Sequence, residues 1–263
     1  MDLGLDGKVS LVGASSRGLG FACASALSKE GSNVIICGRD NDRLLLAKSR
    51  IEKIGKSKVL AIITDLSKSK ERENLIDKTI KEFGRIDIFI NNCGGPKPGS
   101  FFNLDDNDWL LAYEQILGST ISFYKLIIPI MKEQEWGRIV NITSLAAKEP
   151  NNAIITSTVF RLGAIAIAKV LSKELAKYNI LINNLCPGAF STERVNELIK
   201  IKSKDSLKSE KEIEQSILSD YPSGKLGDPN ELANLVALIV SERIDTLTGT
   251  SISLDGGKGT GLF

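Results

Sequence analysis

No histidine occurs in the 263 residues. Its absence removes every mechanism built on an imidazole: the Ser-His-Asp triad, the Cys-His pair, and His-ligated zinc or haem. Acid–base chemistry then falls to Tyr, Lys, Cys, Asp, Glu or water. Cysteine is scarce as well: Cys23, Cys37, Cys93 and Cys186 stand far apart and form no CxxC pair. Each lies in an apolar or glycine-rich stretch, so all four are expected to be buried free thiols in a reducing cytoplasm. No uninterrupted apolar run approaches the roughly 18 residues of a membrane span. The amino terminus, MDLGLDGKVSLVG, lacks the cationic start and long apolar stretch of a secretory signal. No membrane partner is therefore expected. Neither sign of charge is in excess, with 34 Lys and Arg against 32 Asp and Glu. That balance argues against a nucleic-acid partner, whose binders carry a clustered basic face.

What the chain does contain is a rhythm. Short apolar, β-rich runs occupy residues 8–12, 33–37, 59–63, 86–90, 138–142, 180–185 and 250–254. Segments of helical period fill 18–29, 41–54, 69–83, 106–133, 156–178 and 230–240. Strand–helix–strand repetition predicts an α/β fold with right-handed crossovers and a parallel sheet covered on both faces. No linker or composition shift divides residues 1–263, so a single domain is expected. The segment 192–219 breaks the rhythm and is dense in Lys and Glu. A charge-dense helix is ordinarily a solvated face. This one follows a strand's carboxyl end, where a doubly wound sheet keeps its ligand crevice, and residues 190–220 are expected to form a substrate lid.

After the first strand comes Gly13-Ala14-Ser15-Ser16-Arg17-Gly18-Leu19-Gly20, and a helix follows. Glycines at such a turn admit a pyrophosphate to the positive end of the helix dipole, although any tight turn uses glycine. Gly13, Ser15, Ser16, Arg17, Gly18, Leu19 and Gly20 are thus candidate dinucleotide contacts. The second strand ends in Gly38-Arg39-Asp40. An acid directly at that strand end would suit a ribose 2′-hydroxyl; Arg39, helped by Arg17, suits a 2′-phosphate, hence NADP(H) in preference to NAD(H). The plainer alternative is a pair of ordinary surface arginines.

Over nearly its whole length the chain resembles the short-chain dehydrogenase/reductase family, in particular 3-oxoacyl-[acyl-carrier-protein] reductase-like members with imperfect motifs. Asp65-Leu66 matches the family's adenine contact after the third strand, and Asn91-Asn92-Cys93-Gly94 is similar to its NNAG motif. Arg138–Ser144 resembles the strand carrying the catalytic serine, and Pro187-Gly188 with Thr192 matches the PGxxxT loop beside the nicotinamide. Lys225–Glu231 and Leu254-Asp255-Gly256-Gly257 match the carboxyl-terminal signatures. The resemblance implies a single-domain Rossmann fold with a doubly wound, seven-stranded parallel sheet and helices on both faces. It implies an NADP(H)-dependent oxidoreductase that reduces a carbonyl or oxidises an alcohol, on a small molecule or an acyl thioester. It also implies a homotetramer. The surplus apolar faces of 106–133 and 156–178 agree with a partner subunit, or with deep burial inside one chain.

The family's catalytic tetrad of Asn, Ser, Tyr and Lys is incomplete here. Ser144 fills the serine place. Thirteen residues on, Ser157 stands where the tyrosine belongs, and four further on Arg161 replaces the lysine. Counting from Trp109, the asparagine place holds Ile116. A serine hydroxyl is shorter than a phenol and far less acidic, while Arg161 can still bind ribose hydroxyls but, always charged, relays no proton. Losing a positioned general acid costs roughly 10²–10⁴-fold in rate. Either a non-standard proton donor takes over, or the chain binds coenzyme without turnover, as a scaffold or sensor. Tyr113, one helical turn before Ile116, is a candidate donor, with an interface aromatic as its plainer alternative. Lys148 and Glu149 are candidates on the rim, or a solvated loop pair. The phosphate turn departs too: the motif's first glycine falls on Ala14 and its threonine on Gly13. A methyl at Ala14 is tolerated where the local φ is negative.

Overall fold

A computed structural model describes residues 1–206 and 208–261; residue 207, inside the expected lid, and residues 262–263 lie outside the described residues. Seven parallel strands form one sheet: β1 (Val9–Val12), β2 (Asn33–Gly38), β3 (Val59–Ile63), β4 (Ile88–Asn91), β5 (Gly137–Ile142), β6 (Ile180–Pro187) and β7 (Ser251–Leu254). Their spatial order is β3-β2-β1-β4-β5-β6-β7. Both faces of β1, β4, β5 and β6 are buried throughout, which is why these strands read as continuous apolar runs without alternation.

The helices are α1 (Gly18–Lys29), α2 (Asn41–Ile54), α3 (Ser69–Phe83), α4 (Asp106–Tyr113), α5 (Ser119–Glu133), α6 (Ile155–Leu175), α7 (Glu193–Asp205), α8 (Glu210–Ser219) and α9 (Pro229–Ile239). Local chemistry fixes several of their ends. Asp40 accepts from the Arg43 N–H at the start of α2, Asp105 and Asp108 form a capping box on α4, and Gly84 ends α3 at φ 72°. On one face of the sheet Leu27, Leu44 and Val236 from α1, α2 and α9 pack on Val12, Ile36 and Ile142. On the other, Leu75, Phe123 and Ala168 from α3, α5 and α6 pack on Leu11, Ile35 and Ile182. This is the doubly wound arrangement that the strand–helix rhythm predicts.

Three local expectations need correction. The continuous helix expected over 106–133 is interrupted by a π-helical segment, Glu114–Gly118. Ser119 and Thr120 turn their hydroxyls back onto the Gln115 and Ile116 carbonyls (2.8 and 2.7 Å), side-chain bonds that compete with the regular ladder. The segment 192–219 is two helices, α7 and α8. Cys93 is only partly buried, unlike the other three cysteines. Burial pushes the Cys23 and Cys37 thiols up to about 12.

A row of polar side chains crosses the sheet just below its carboxyl edge. Asn91, Asn141, Asn184 and Ser251 stand in register on β4, β5, β6 and β7. Asn91 Nδ2 donates to Asn141 Oδ1 (2.8 Å), Asn141 Nδ2 to Asn184 Oδ1 (2.8 Å), and Asn184 Nδ2 to Ser251 Oγ (3.2 Å). From α5, Thr120 Oγ1 accepts from Asn91 Nδ2 (2.9 Å) and the Tyr124 hydroxyl donates to Asn141 Oδ1 (2.9 Å). Burial pushes the Tyr124 phenol up, against the lowering effect of that bond, so it stays a neutral donor.

Asn141 is the hub of this row. Asn141→Leu should destabilise the fold by about 3 kcal/mol or more, since it strands polar groups of Asn91, Asn184 and Tyr124 in a dry interior. Urea unfolding measures this, and a loss below about 1 kcal/mol would show that the row is dispensable.

Candidate active site

The sheet order reverses between β1 and β4, and three segments converge there: the turn after β1, the end of β4, and the loop after β6. Gly13 packs so closely on β4 that a Cβ at this position would lie 2.3 Å from the Asn92 carbonyl oxygen. Asn92 Nδ2 in turn donates to the Gly13 and Ala14 carbonyls (3.0 and 3.3 Å), tying the two turns together. Ala14 has φ 43°, so the negative φ on which its tolerance depended is not found, and the residue carries left-handed strain.

Arg17 is the N-cap of α1 in extended conformation, and its side chain does not cap the helix. The first-turn N–H groups at Gly18, Leu19 and Gly20 therefore face the crevice and suit an anion. Gly18 has φ 60°, and a Cβ there would lie 3.7 Å from the Thr192 methyl, which brings the loop after β6 over the phosphate turn. The Leu19 side chain packs inward against the core. Ser16, Arg17, Arg39, Arg43 and Glu197 help line a cavity of about 740 Å³ at the ends of β1 and β2. Asp65 lies on the same side: burial raises its carboxyl, but bonds from the Ser67 hydroxyl and N–H and the charges of Arg39 and Lys68 hold it below the usual range. Next to it, the Leu66 carbonyl accepts from Arg72 Nη1 (2.7 Å).

Two of the expected coenzyme contacts also have partners within the protein. The Ser15 hydroxyl donates to the Val12 carbonyl (2.7 Å) and accepts from the Cys37 N–H (3.0 Å), and the Ser15 N–H donates to the Cys37 carbonyl (2.9 Å). Ser15 fastens β1 to β2 and has no donor left for a ligand. Asn91 spends both Nδ2 hydrogens inside the polar row. Gly94, by contrast, is exposed at the crevice side of the loop that follows β4.

At the far end of the crevice, Ser144 follows β5 and its Oγ accepts from the Ala146 N–H (3.2 Å). Arg161 reaches from α6 to the same corner, donating Nη1 to the Ile142 carbonyl (2.8 Å) and Nε to Ser157 Oγ (3.1 Å). Both Ser157 and Arg161 are buried. Pro187 and Gly188 close the corner from β6, with the Gly188 N–H on the Leu254 carbonyl (2.9 Å). The Tyr221 hydroxyl accepts from the Ala189 N–H (2.7 Å) and so braces this loop. Ile116 lies in the π-helical segment and is buried.

The candidate replacement donors each have partners within the protein. The Tyr113 ring stands edge-on to Phe160 (5.9 Å) in an aromatic cluster that includes Trp109 and Phe101. The π-helical segment begins at the residue after Tyr113. Lys148 Nζ is held by the Ser251 carbonyl and Ser253 Oγ (3.3 and 3.2 Å). Glu149 accepts from the Gly261 and Thr260 N–H groups (2.8 and 2.7 Å), which holds it below the usual carboxylate range, as an anion and not an acid.

Several site residues escaped the sequence reading. Asn92 was visible only as the second member of the Asn-Asn doublet. Arg43 lies one turn into α2 from Arg39, a spacing that could have drawn attention to it. Glu193 and Glu197, four residues apart in a charge-dense stretch, both pair with Arg17 Nη1 at 2.8 Å. Nothing local in the sequence marks that contact.

The family model described as enoyl-(acyl carrier protein) reductase matches residues 13–258. The chain is 31% identical over 252 residues to the NADPH-dependent reductase BacG of Bacillus subtilis, covering 95% of this chain and 97% of that one. It is 32% identical over 260 residues to the 3-oxoacyl-[acyl-carrier-protein] reductase FabG of Aquifex aeolicus, covering 98% and 99%. Among solved structures, the L-sorbose reductase of Gluconobacter frateurii, complexed with NADPH and L-sorbose, superposes with a TM-score of 0.95 at 27% identity, over 100% of both chains. The chain therefore belongs to the short-chain dehydrogenase/reductase family.

Proposed function

We propose that this protein is an NADP(H)-dependent oxidoreductase acting on carbonyl or alcohol groups, in the manner of the 3-oxoacyl reductases, with a serine–arginine pair in place of tyrosine–lysine. The observation that carries the reading is the buried Arg161–Ser157 contact, anchored two residues before Ser144 through the Ile142 carbonyl. The NADPH-dependence of BacG and the NADPH complex of L-sorbose reductase support the coenzyme.

The residues present fit that coenzyme. The uncapped start of α1 suits a pyrophosphate, and the cavity lined by Arg17, Arg39 and Arg43 suits a 2′-phosphate. Gly94, Asp65, Leu66, Pro187, Gly188 and Thr192 border the rest of the crevice. Bound there, the dihydronicotinamide supplies a hydride to a carbonyl carbon. Ser144 and Ser157 offer hydroxyl hydrogens to the carbonyl oxygen. Because Ser157 Oγ accepts from Arg161 Nε, its own O–H remains free to donate, and the guanidinium steadies the negative charge that develops as the carbonyl is reduced. Ser157 is not acidic enough to lose a proton for good, so water must replenish it.

The engaged positions of Tyr113, Lys148 and Glu149 favour a second reading, a coenzyme-binding scaffold or sensor without turnover. The segment spanning α7 and α8 is proposed as the substrate lid, over a small carbonyl compound, an alcohol or an acyl thioester. Four unpaired thiols support a cytoplasmic setting.

Self-association as a tetramer is proposed from the outer faces of α4 and α6. Leu110, Leu111, Val159, Leu162 and Val170 are exposed there, and Phe102 nearby is 92% exposed. The stretch Ile155–Tyr178 is long and apolar enough to cross a membrane, yet it packs on β6 and only 33% of its most apolar window is buried. A second subunit on this face removes the remaining apolar area from water.

Three outcomes are expected. Arg39→Asp should weaken NADPH binding by about tenfold or more and leave NADH less affected, since it exchanges a phosphate partner for a repelling charge; equal loss for both coenzymes in a fluorescence titration would refute the assignment. Ser157→Tyr with Arg161→Lys should raise carbonyl reduction by roughly 10²-fold or more over the native protein. A native rate already at the level of that variant would mean that the serine–arginine pair is not a deficit. Light scattering at micromolar concentration should give a tetramer, and Leu110→Asp with Leu162→Asp should lower the mass; a native 28.5 kDa species would end the proposal.

A further inference from the structure

Helix α7 brings two carboxylates onto one nitrogen. Arg17 Nη1 donates to Glu193 Oε2 and to Glu197 Oε1, each at 2.8 Å. Glu193 Oε2 also lies 3.7 Å from Arg43 Nη1, and Arg43 Nε lies 3.6 Å from Asp40. Arg17, Arg39 and Arg43 all line the cavity beside the phosphate turn, and so do Asp40, Asp42 and Glu197. The cavity therefore has no net positive charge, and Glu193 tips the balance toward negative. A dianionic phosphate gains little on entering such a site unless the acids of α7 withdraw from it. Two of the three guanidiniums already have carboxylate partners, both supplied at least in part by α7.

We propose that Glu193 and Glu197 are further determinants of coenzyme specificity, competing with the 2′-phosphate of NADPH for Arg17 and Arg43. The inference rests on the coenzyme reading above and deepens it. NADH, with no 2′-phosphate, has no claim on Arg17 and leaves α7 docked on the phosphate turn. NADPH must exchange the α7 carboxylates for its own phosphate oxygens, so the native preference for NADPH is smaller than three arginines alone would give. The acids act as an internal substitute for the phosphate. Because the pairs are exposed, their effect is modest and screened by salt. Arg194, which donates to the Pro96 carbonyl (3.3 Å), keeps α7 attached to the crevice while the acids change partners.

The test is a pair of fluorescence titrations, with NADPH and with NADH, on the full chain at low and at raised ionic strength. The double variant Glu193→Gln, Glu197→Gln should bind NADPH about threefold to tenfold more tightly at low salt, with NADH changed by less than about twofold. Raised salt should narrow the gap between variant and native protein. Glu133→Gln, which removes an exposed α5 acid outside this cavity and outside the proposed lid, should leave both constants unchanged. An unchanged or weakened NADPH constant in the double variant overturns the proposal, and so does an equal gain for both coenzymes, which would mark a general charge effect. If native protein and double variant both bind neither coenzyme, the coenzyme reading itself fails and the competition with it. If only the double variant binds NADPH, the competition is supported in its strongest form.

Discussion

The register of the central strands is held by the side-chain hydrogen bonds that run from Asn91 through Asn141 and Asn184 to Ser251. In a sheet buried on both faces, apolar side chains alone define register poorly, because one Ile or Val replaces another at little cost. An amide row is different. A slip of one residue on any strand turns an asparagine onto the opposite apolar face and leaves its neighbours unpaired, at about 1–3 kcal/mol for each stranded group. The row lies one residue below Asn92, three below Ser144 and three below Pro187. Fixing it levels the carboxyl ends of β4, β5 and β6, and that levelling brings the phosphate turn, the serine and the loop after β6 to a common crevice. Tyr124 and Thr120 bind α5 into the same arrangement, and the π-helical segment carrying Ile116 immediately precedes them.

Charge inside that crevice follows a consistent economy. Where a lysine and a tyrosine would share a proton, Arg161 and Ser157 share a hydrogen bond in which the donor never gives the proton up. In the proposed reaction the guanidinium keeps a positive charge at this corner, and the proton that Ser157 donates has to be replenished from water. The other rim groups are withdrawn from proton chemistry by their own partners. Glu149 is bound to the backbone of the carboxyl-terminal tail and Lys148 to β7. At the opposite end of the crevice the guanidinium of Arg17 is raised by its bonds to Glu193 and Glu197, and Glu197 is lowered in return. Both ends thus hold arginine cations whose charge is permanent, and differ only in whether an acid of the chain itself answers it.

How far the sequence could be read depended on the range of the interaction concerned. The strands were legible because apolar runs of five or six residues between turn signals allow few other structures. The coenzyme turn was legible in outline, since a glycine-rich strand-to-helix turn has a physical reason. The part that Ser15 and Asn91 play inside the fold was not legible, because their partners, Cys37 and Asn141, lie 22 and 50 residues away. The π-helical segment after Tyr113 was not legible, because no residue pattern in 106–133 departs from a regular helical period. The pairing of Arg17 with Glu193 spans 176 residues, and no periodicity or spacing could report it.

The phosphate turn illustrates how a displaced motif is reconciled with the fold. In the family pattern a glycine is wanted where Ala14 stands, and a threonine where Gly13 stands. Here the tightest approach falls at Gly13, where any Cβ would meet the Asn92 carbonyl, so this position tolerates only glycine. The left-handed conformation falls one residue later, on Ala14, which bears it at a cost of about 1 kcal/mol. The compensation comes from β4: Asn92 Nδ2 donates to the carbonyls of both residues and holds the peptide planes that give Ala14 its positive φ. Strain persists only where surrounding bonds over-determine it. The second asparagine of the doublet therefore holds this turn in shape, and alanine at position 14 is tolerated because Asn92 ties the carbonyls of both residues.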